Sequence, residues 1–431
     1  MALQWKRHIV EGGGLYRFRI LALLLGLSVV TYLDRVNISV AAQRIMPEYG
    51  LDAITMGYVF SAFTLGYALF QIPGGWLADR FGPRRILSLA VLAWSVFTAA
   101  TAVAGDSPLV AALGVAGALV LTRVLIGIGE AAAYPAYSRV IADWFPPRER
   151  ALGLGVTIAG VGLGAAVTPP FIAWIMEHWG WRWAFWISAA VGVALAGLWW
   201  RVARDRPEQH ARVGAAELAV IRGGRGGAER PLAEPWGLVL RDGRVWLLTF
   251  GYFFFCYVIY VYLSWFYLYL VRERGFAVLE GAWYAMGPFI AITLFTPLGG
   301  WLTDRLSGRL GALPGRRRVA MLGLGLTALC IMLGATAVQP LWAVFFLSLG
   351  AGWLYFAVTP FWSMAIEIAP GRAGAVAGIM NTGGNLGGVL SPVAIPWLGQ
   401  HYGWSVALAT AAGAALAAAA VWPWLRSRSH G

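Results

Sequence analysis

Apolar runs follow one another along almost the whole chain, and short polar stretches rich in arginine, glycine or proline separate them. Because a helix rises 1.5 Å per residue, about 20 apolar residues cross the hydrocarbon layer of a bilayer. The pattern predicts twelve membrane helices, over residues 16–43, 54–77, 86–104, 111–143, 151–176, 182–201, 244–270, 279–302, 319–337, 341–368, 374–398 and 403–424. No polar segment between them is long enough to fold alone. The N-terminal tail is short and basic and lacks a small-residue cleavage site, which predicts a cytoplasmic tail rather than a removed signal peptide.

Composition agrees with this reading. Of 431 residues, 59% are hydrophobic and 12% charged, which excludes a soluble domain with a polar exterior. The net charge of +13 would suit a nucleic-acid partner, but its placement argues against one. If the N-terminus is cytoplasmic, 27 of the 33 Lys and Arg fall on cytoplasmic segments, and only Arg44, Arg182, Arg272 and Arg274 fall on the other side. That is the positive-inside distribution, and it predicts both termini in the cytoplasm. The two remaining cations, Arg35 and Arg123, lie within predicted helices. So do both cysteines, Cys256 and Cys330, which predicts free thiols.

The chain also repeats itself. "GGWLADR" at 74–80 returns as "GGWLTDR" at 299–305, and "GVTIAGVGLGAAVTP" at 155–169 aligns without gaps on "GIMNTGGNLGGVLSP" at 378–392, with offsets of 225 and 223. Two six-helix halves follow, residues 1–200 and 244–431, joined by a cytoplasmic linker at 201–243. Gly155, Gly160 and Gly164, with Gly378, Gly383 and Gly387, have the small-residue spacing of close helix crossings. With Lys6 the single lysine, no nucleotide-binding Gly-x-x-x-x-Gly-Lys-Ser/Thr loop exists in this chain. Asp79 and Arg80 follow the end of the second predicted helix, and Arg84 and Arg85 follow a Gly-Pro turn. The duplication at Asp304 and Arg305 favours a conformational latch over a merely solvated loop.

Duplicated six-helix halves with a midplane site between them describe the major facilitator superfamily. "GGWLADRFGPRR" resembles its loop motif between helices 2 and 3. The set "YLDRVN", "GYVFSAF", "QIPGGWLADRFGPRR" and "RVLIGIGEAAAYPAYSRVIADWFPPRERA" more narrowly resembles the anion:cation symporter family of bacterial sugar-acid and organic-anion carriers. The resemblance implies a twelve-helix all-α membrane fold, a bacterial cytoplasmic membrane location and a monomer, with a small organic anion, protons and the bilayer as partners. It implies no cofactor, metal or nucleic acid.

Four charges inside predicted helices carry the functional argument: Asp34, Arg35, Arg123 and Glu130. Each costs about 2.5 to 3.5 kcal/mol on insertion scales, so they must pair or line a wet cavity. Arg123, Gly127 and Glu130 are spaced i, i+4, i+7, which puts both charges on one helix face. A set of structural ion pairs is one reading. The other is a proton switch: burial favours a neutral acid, a neighbouring arginine favours its anion, and hydration decides between them. Arg35 is then the substrate ligand, because a guanidinium grips a carboxylate bidentately and stays charged, while Arg123 is expected to be occupied by Glu130 or Asp34.

In sugar-acid members of the family, the positions matching Tyr32, Arg35, Tyr67, Glu130, Trp362 and Asn381 line the substrate site. Those matching Asp34 and Glu130 carry protons, and that matching Arg123 engages the carboxylates. Asn381 and Asn385 also break the internal repeat, where Ile158 and Gly162 stand opposite them; Asn385 could bind substrate or simply a neighbouring helix. Val161, apolar where sugar-acid carriers tend to have a polar residue, and the aromatic helix "GYFFFCYVIYVYLSWFYLYL" loosen the expectation of a polyol substrate. Those aromatics could equally serve packing or the interface.

These readings converge on a proton-coupled symporter that imports an organic carboxylate, from sugar and hydroxy acids to aromatic monocarboxylates, by alternating access. A drug or metabolite efflux carrier shares the fold but would not need these four charges. An enzyme is disfavoured: His8, His178, His210, His401 and His430 are scattered, and no Gly-x-Ser-x-Gly elbow is present.

Overall fold

A computed structural model describes residues 15–146, 149–223, 235–369 and 372–426. Twelve long helical segments run through it, broken or continuous: α1 Tyr16–Tyr49, α2 Ala53–Phe81, α3 Pro83–Thr101, α4 Val110–Trp144, α5 Arg150–Trp179, α6 Trp181–Val202, α7 Gly243–Arg272, α8 Val278–Leu310, α9 Ala312–Thr336, α10 Pro340–Ile368, α11 Ala373–Tyr402 and α12 Trp404–Ala420. Ten are long and apolar enough by themselves to cross a membrane. The other two, α3 and α11, are diluted by Arg84 and Arg85 in one and by glycines, Asn381 and Asn385 in the other. Helix α1 continues to Tyr49, past the predicted end at residue 43, and stops where Gly50 takes a left-handed conformation.

Four tight corners use one device. Gly82, Gly180, Gly311 and Gly403 have φ of 88°, 87°, 91° and 87°, and each both ends one helix and starts the next, a conformation that a Cβ disfavours. They recur at corresponding positions of the two halves. Packing recurs in step: α1 lies on α5 as α7 lies on α11, α2 on α4 as α8 on α10, and α3 on α6 as α9 on α12. Between the halves, α2 packs on α11 and α5 on α8.

The glycine expectation holds at four of six positions. A Cβ at Gly160 or Gly164 would meet α1, and one at Gly383 or Gly387 would meet α7, so these glycines permit close crossings. Gly155 and Gly378 correct it, since open space surrounds both.

The connection between α6 and α7 is built into the first half. Helix α1 has no side-chain cap of its own at Leu15. Instead the Glu217 carboxylate, 1% exposed, accepts from the backbone N–H groups of Tyr16 (3.2 Å) and Arg17 (2.9 Å). Asp205 likewise accepts from the Arg84 N–H at 2.9 Å, at the start of α3. Two helix N-termini thus receive their anions from a segment more than a hundred residues away. The end of the bundle that carries this connection is called the linker face below, and the other end the far face. Lys6, His8, His430 and residues 224–234 of the linker lie outside the described residues.

Candidate functional site

Successive residues of a helix point about 100° apart, and α1 uses this to separate its two charges. Asp34 is fully buried and turns toward α3, where Trp94 and Thr98 face it. Arg35 turns into the space between the halves, its side chain 10% exposed.

Arg35 donates from Nε to Oε2 of Glu130 at 2.8 Å. Its guanidinium carbon lies 4.5 Å from the ring centre of Tyr67, 4.9 Å from Tyr32 and 5.0 Å from Phe63. The aromatic faces hold the cation in place without neutralising it. Nη2 of Arg35 and Oε1 of Glu130 are buried without hydrogen-bond partners, so each member of the pair keeps one polar atom free.

The pairing corrects the expectation for Arg123. This residue makes no ion pair with Glu130 or Asp34 among the described residues; its Nη1 donates to the backbone carbonyl of Asp34 at 3.2 Å, and its guanidinium lies 5.0 Å from the Phe63 ring centre. Arg123 and Glu130 do share one face of α4. Gly127 between them sits so close to α2 that a Cβ would collide with the Phe63 carbonyl and come within 2.8 Å of the Tyr67 nitrogen. That approach brings both charges to the aromatic residues of α2.

The second half lines the space beside Arg35 with Tyr260, Leu263 and Ser264 of α7, and reaches Tyr67 through α11. Asn381 on α11 donates to Gln71 Oε1 at 2.9 Å, and Gln71 donates in turn to the Tyr67 hydroxyl at 3.3 Å, so a hydrogen-bonded chain crosses between the halves. Trp362 is 40% exposed, with its ring 6.1 Å from that of Tyr252. Asn385 is buried beside α7 with its Nδ2 unpartnered. Gln71 and Tyr260 belong to this site and were missed from sequence; the signal for Gln71 was an amide inside the apolar run "GYALFQIPGG". Arg35, Ser39, Phe60, Thr64, Arg123 and Tyr260 enclose a void of about 20 Å³, room for one water. An organic anion can reach Arg35 only if Glu130 yields or the halves part.

At the linker face, Asp79 meets Arg139 (3.6 Å) rather than Arg84 or Arg85, and Arg139 also pairs with Asp143 at 2.9 Å. Arg84 donates to the Trp200 carbonyl from Nε and Nη2, at 3.1 and 2.6 Å. Arg85 makes no hydrogen bond, ion pair or ring contact among the described residues. The second half repeats the acid–arginine–acid arrangement with a displaced cation: Arg316, on α9, faces Asp304 and pairs with Glu367. Arg80 and Arg305 lie over the rings of Trp76 (5.1 Å) and Trp301 (5.2 Å), four residues before each.

Comparison with known proteins gives concordant findings. A model of the Major Facilitator Superfamily matches residues 24–314 and 282–431. The probable sulfoacetate transporter SauU of Cupriavidus necator is 37% identical over 391 residues, spanning 90% of this chain and 88% of that protein. The D-galactonate transporter of Escherichia coli O6:H1 is 32% identical, with 92% of each chain covered. Among solved structures, the inward-facing, occupied bacterial homolog of the human lysosomal transporter Spinster superposes with a TM-score of 0.76 at 22% identity, covering 96% of this chain and 97% of that one. The D-xylose-proton symporter superposes with the same score at 16% identity, covering 96% and 99%.

Proposed function

The chain belongs to the major facilitator superfamily, and we propose that this membrane transporter imports a small organic anion together with a proton. The observation that carries this reading is the direct pair between Arg35 and Glu130. An incoming carboxylate or sulfonate and the Glu130 carboxylate compete for the same guanidinium. A proton on Glu130 removes the competitor, so proton and anion favour each other's binding, which is the thermodynamic requirement for symport. The empty, deprotonated carrier closes the pair again.

Arg35 is the anion ligand in this reading, with Tyr32 and Tyr67 against its faces. Asn381, Gln71 and Tyr67 provide hydrogen bonds for hydroxyl groups, and Asn385 and Trp362, which do not line the Arg35 void, join the site from the second half when the halves part. Asp34 is a second proton site behind α1, linked to Arg123 through its own backbone carbonyl. The linker-face latch centres on Asp79 with Arg139 and on Asp304 with Arg316, and Arg80, Arg84, Arg85 and Arg305 flank these acids. The relatives, whose names cite sulfoacetate and D-galactonate, support a small organic acid as substrate, with a carboxylate or sulfonate held by Arg35. Positive-inside charge supports a cytoplasmic linker face and cytoplasmic termini, and residues 1–200 and 244–431 are the moving halves of a monomer in this reading.

Purified protein in liposomes tests this. Sulfoacetate and D-galactonate should accumulate when an inward proton gradient is imposed, and a protonophore should abolish accumulation. Uptake that ignores the proton gradient and follows sodium or a counter-substrate would refute the proton roles of Glu130 and Asp34.

A further inference from the structure

The central void is too small for an organic anion, but a second cavity of about 370 Å³ opens at the far face. That volume lies within the range of about 300–1,000 Å³ usual for small-molecule sites. Trp265, Leu268, Pro396 and Trp404 give it apolar walls, and Arg272, Glu273 and Gln400 give it polar ones.

Arg272 differs from the other cations of this face. Arg44 is paired with Glu177 at 3.1 Å, and Arg182 with Glu48 at 2.7 Å and Asp106 at 2.6 Å. Arg274 gives its guanidinium to the Tyr269 hydroxyl and to the carbonyls of Ala337 and Gly334, at 2.6, 2.7 and 3.1 Å. Arg272 makes no ion pair among the described residues, although Glu273 lines the same cavity. Its Nε donates to the amide oxygen of Gln43 at 2.8 Å. Gln43 belongs to α1, so this bond ties one half to the other.

We propose that this far-face cavity is a docking vestibule in which a carboxylate or sulfonate substrate binds Arg272 before the halves part. The inference rests on the import reading above. A bond from guanidinium to an anionic oxygen is about twice as strong as one to a neutral amide, so an arriving anion displaces Gln43 and thereby loosens a tie between the halves. The indole rings of Trp265 and Trp404 offer surface to its carbon skeleton. Glu273 keeps the local charge low, so the site holds an anionic group briefly and releases it inward.

Two variants separate this role from a merely structural tie. Gln43→Leu removes the same inter-half bond but keeps the cation; Arg272→Gln removes the cation, and Arg272→Lys restores it. The probes are sulfoacetate and D-galactonate, taken up by wild type with the far face outward under an imposed proton gradient. Arg272→Gln should raise KM roughly ten-fold, the scale of one hydrogen bond to a charged group. Vmax should stay within about two-fold, and the dependence of uptake on ionic strength should flatten. Arg272→Lys should recover much of the salt dependence, and Gln43→Leu should leave KM unchanged or lower it. Equal KM shifts in Arg272→Gln and Gln43→Leu, or an Arg272→Gln variant with wild-type KM and salt dependence, would overturn the vestibule. Failure of wild type to accumulate either probe would instead overturn the import reading, and the vestibule with it.

Discussion

Arg35 and Glu130, 95 residues apart in the chain, share one hydrogen-bonded ion pair of 2.8 Å in the middle of the bundle, with Glu130 wholly buried. An anion that grips the Arg35 guanidinium therefore competes with Glu130 for it, although Arg35 Nη2 is free. Glu130→Gln keeps an oxygen for the Arg35 Nε–H but cannot titrate. Concentrative uptake under a pH gradient should fall at least ten-fold, while exchange of substrate across the membrane persists. Parallel measurement of accumulation and counterflow checks this, and wild-type accumulation by the variant would remove Glu130 from coupling.

Arg35→Lys keeps the charge and loses the planar fork that lies against Tyr32, Phe63 and Tyr67. Replacing a bidentate grip by a point charge forfeits about 1.5 to 3 kcal/mol of charge-assisted bonding, which is roughly a ten- to hundred-fold rise in KM. The protein should remain monodisperse with an unchanged melting profile. An unaltered KM would reduce Arg35 to a counter-ion of Glu130.

Asn381 reaches Gln71 and, through it, Tyr67, so Asn381→Ala removes hydrogen bonds that a hydroxylated substrate can share. Losing one neutral hydrogen bond costs about 1 kcal/mol, or roughly five-fold in affinity. The variant should lose affinity for D-galactonate and keep most of its affinity for sulfoacetate, which has no hydroxyl groups. Competition between the two in one uptake assay reads the ratio directly. Equal losses would place Asn381 in the helix contact rather than in recognition.

The twelve spans were legible because an apolar run of bilayer length has few other uses, and the runs at 86–104 and 374–398 stayed visible although polar residues dilute α3 and α11. Asp34, Arg35, Arg123 and Glu130 were legible because charge is rare at that depth. Their pairing was not. Spacing puts Arg123 and Glu130 on one face of α4, but the rotation of α1 against α4 decides which cation reaches Glu130, and only the packed bundle fixes that rotation. The linker's carboxylates were hidden for a related reason. Glu217 looks like any acid of a polar segment until the fold brings it to the N-terminus of α1, 200 residues earlier.

That docking makes the linker sensitive to pH. The ring of His210 packs at a tilt 4.0 Å from that of Tyr16 and stands 6.3 Å from that of Trp144. Partial burial and the neighbouring Arg204 and Arg212 hold its pKa below the usual 6.5, while Glu217 and a backbone contact at Val202 oppose them. A histidine depressed in the folded state contributes stability that is complete above its unfolded pKa and disappears as pH falls through the folded value. Acidification from pH 7.5 to about 5 should therefore loosen residues 203–222 from α1 and α4. Hydrogen exchange of this segment should accelerate over that interval in wild type. In His210→Phe, which keeps an aromatic ring and cannot take a proton, the acceleration should be absent once the intrinsic rates are corrected for pH. Glu217→Ala should loosen the segment at every pH, because loss of a helix cap costs about 1 kcal/mol whether or not His210 is charged. Identical pH profiles for wild type and His210→Phe would show that the linker is held by Glu217 and Asp205 alone.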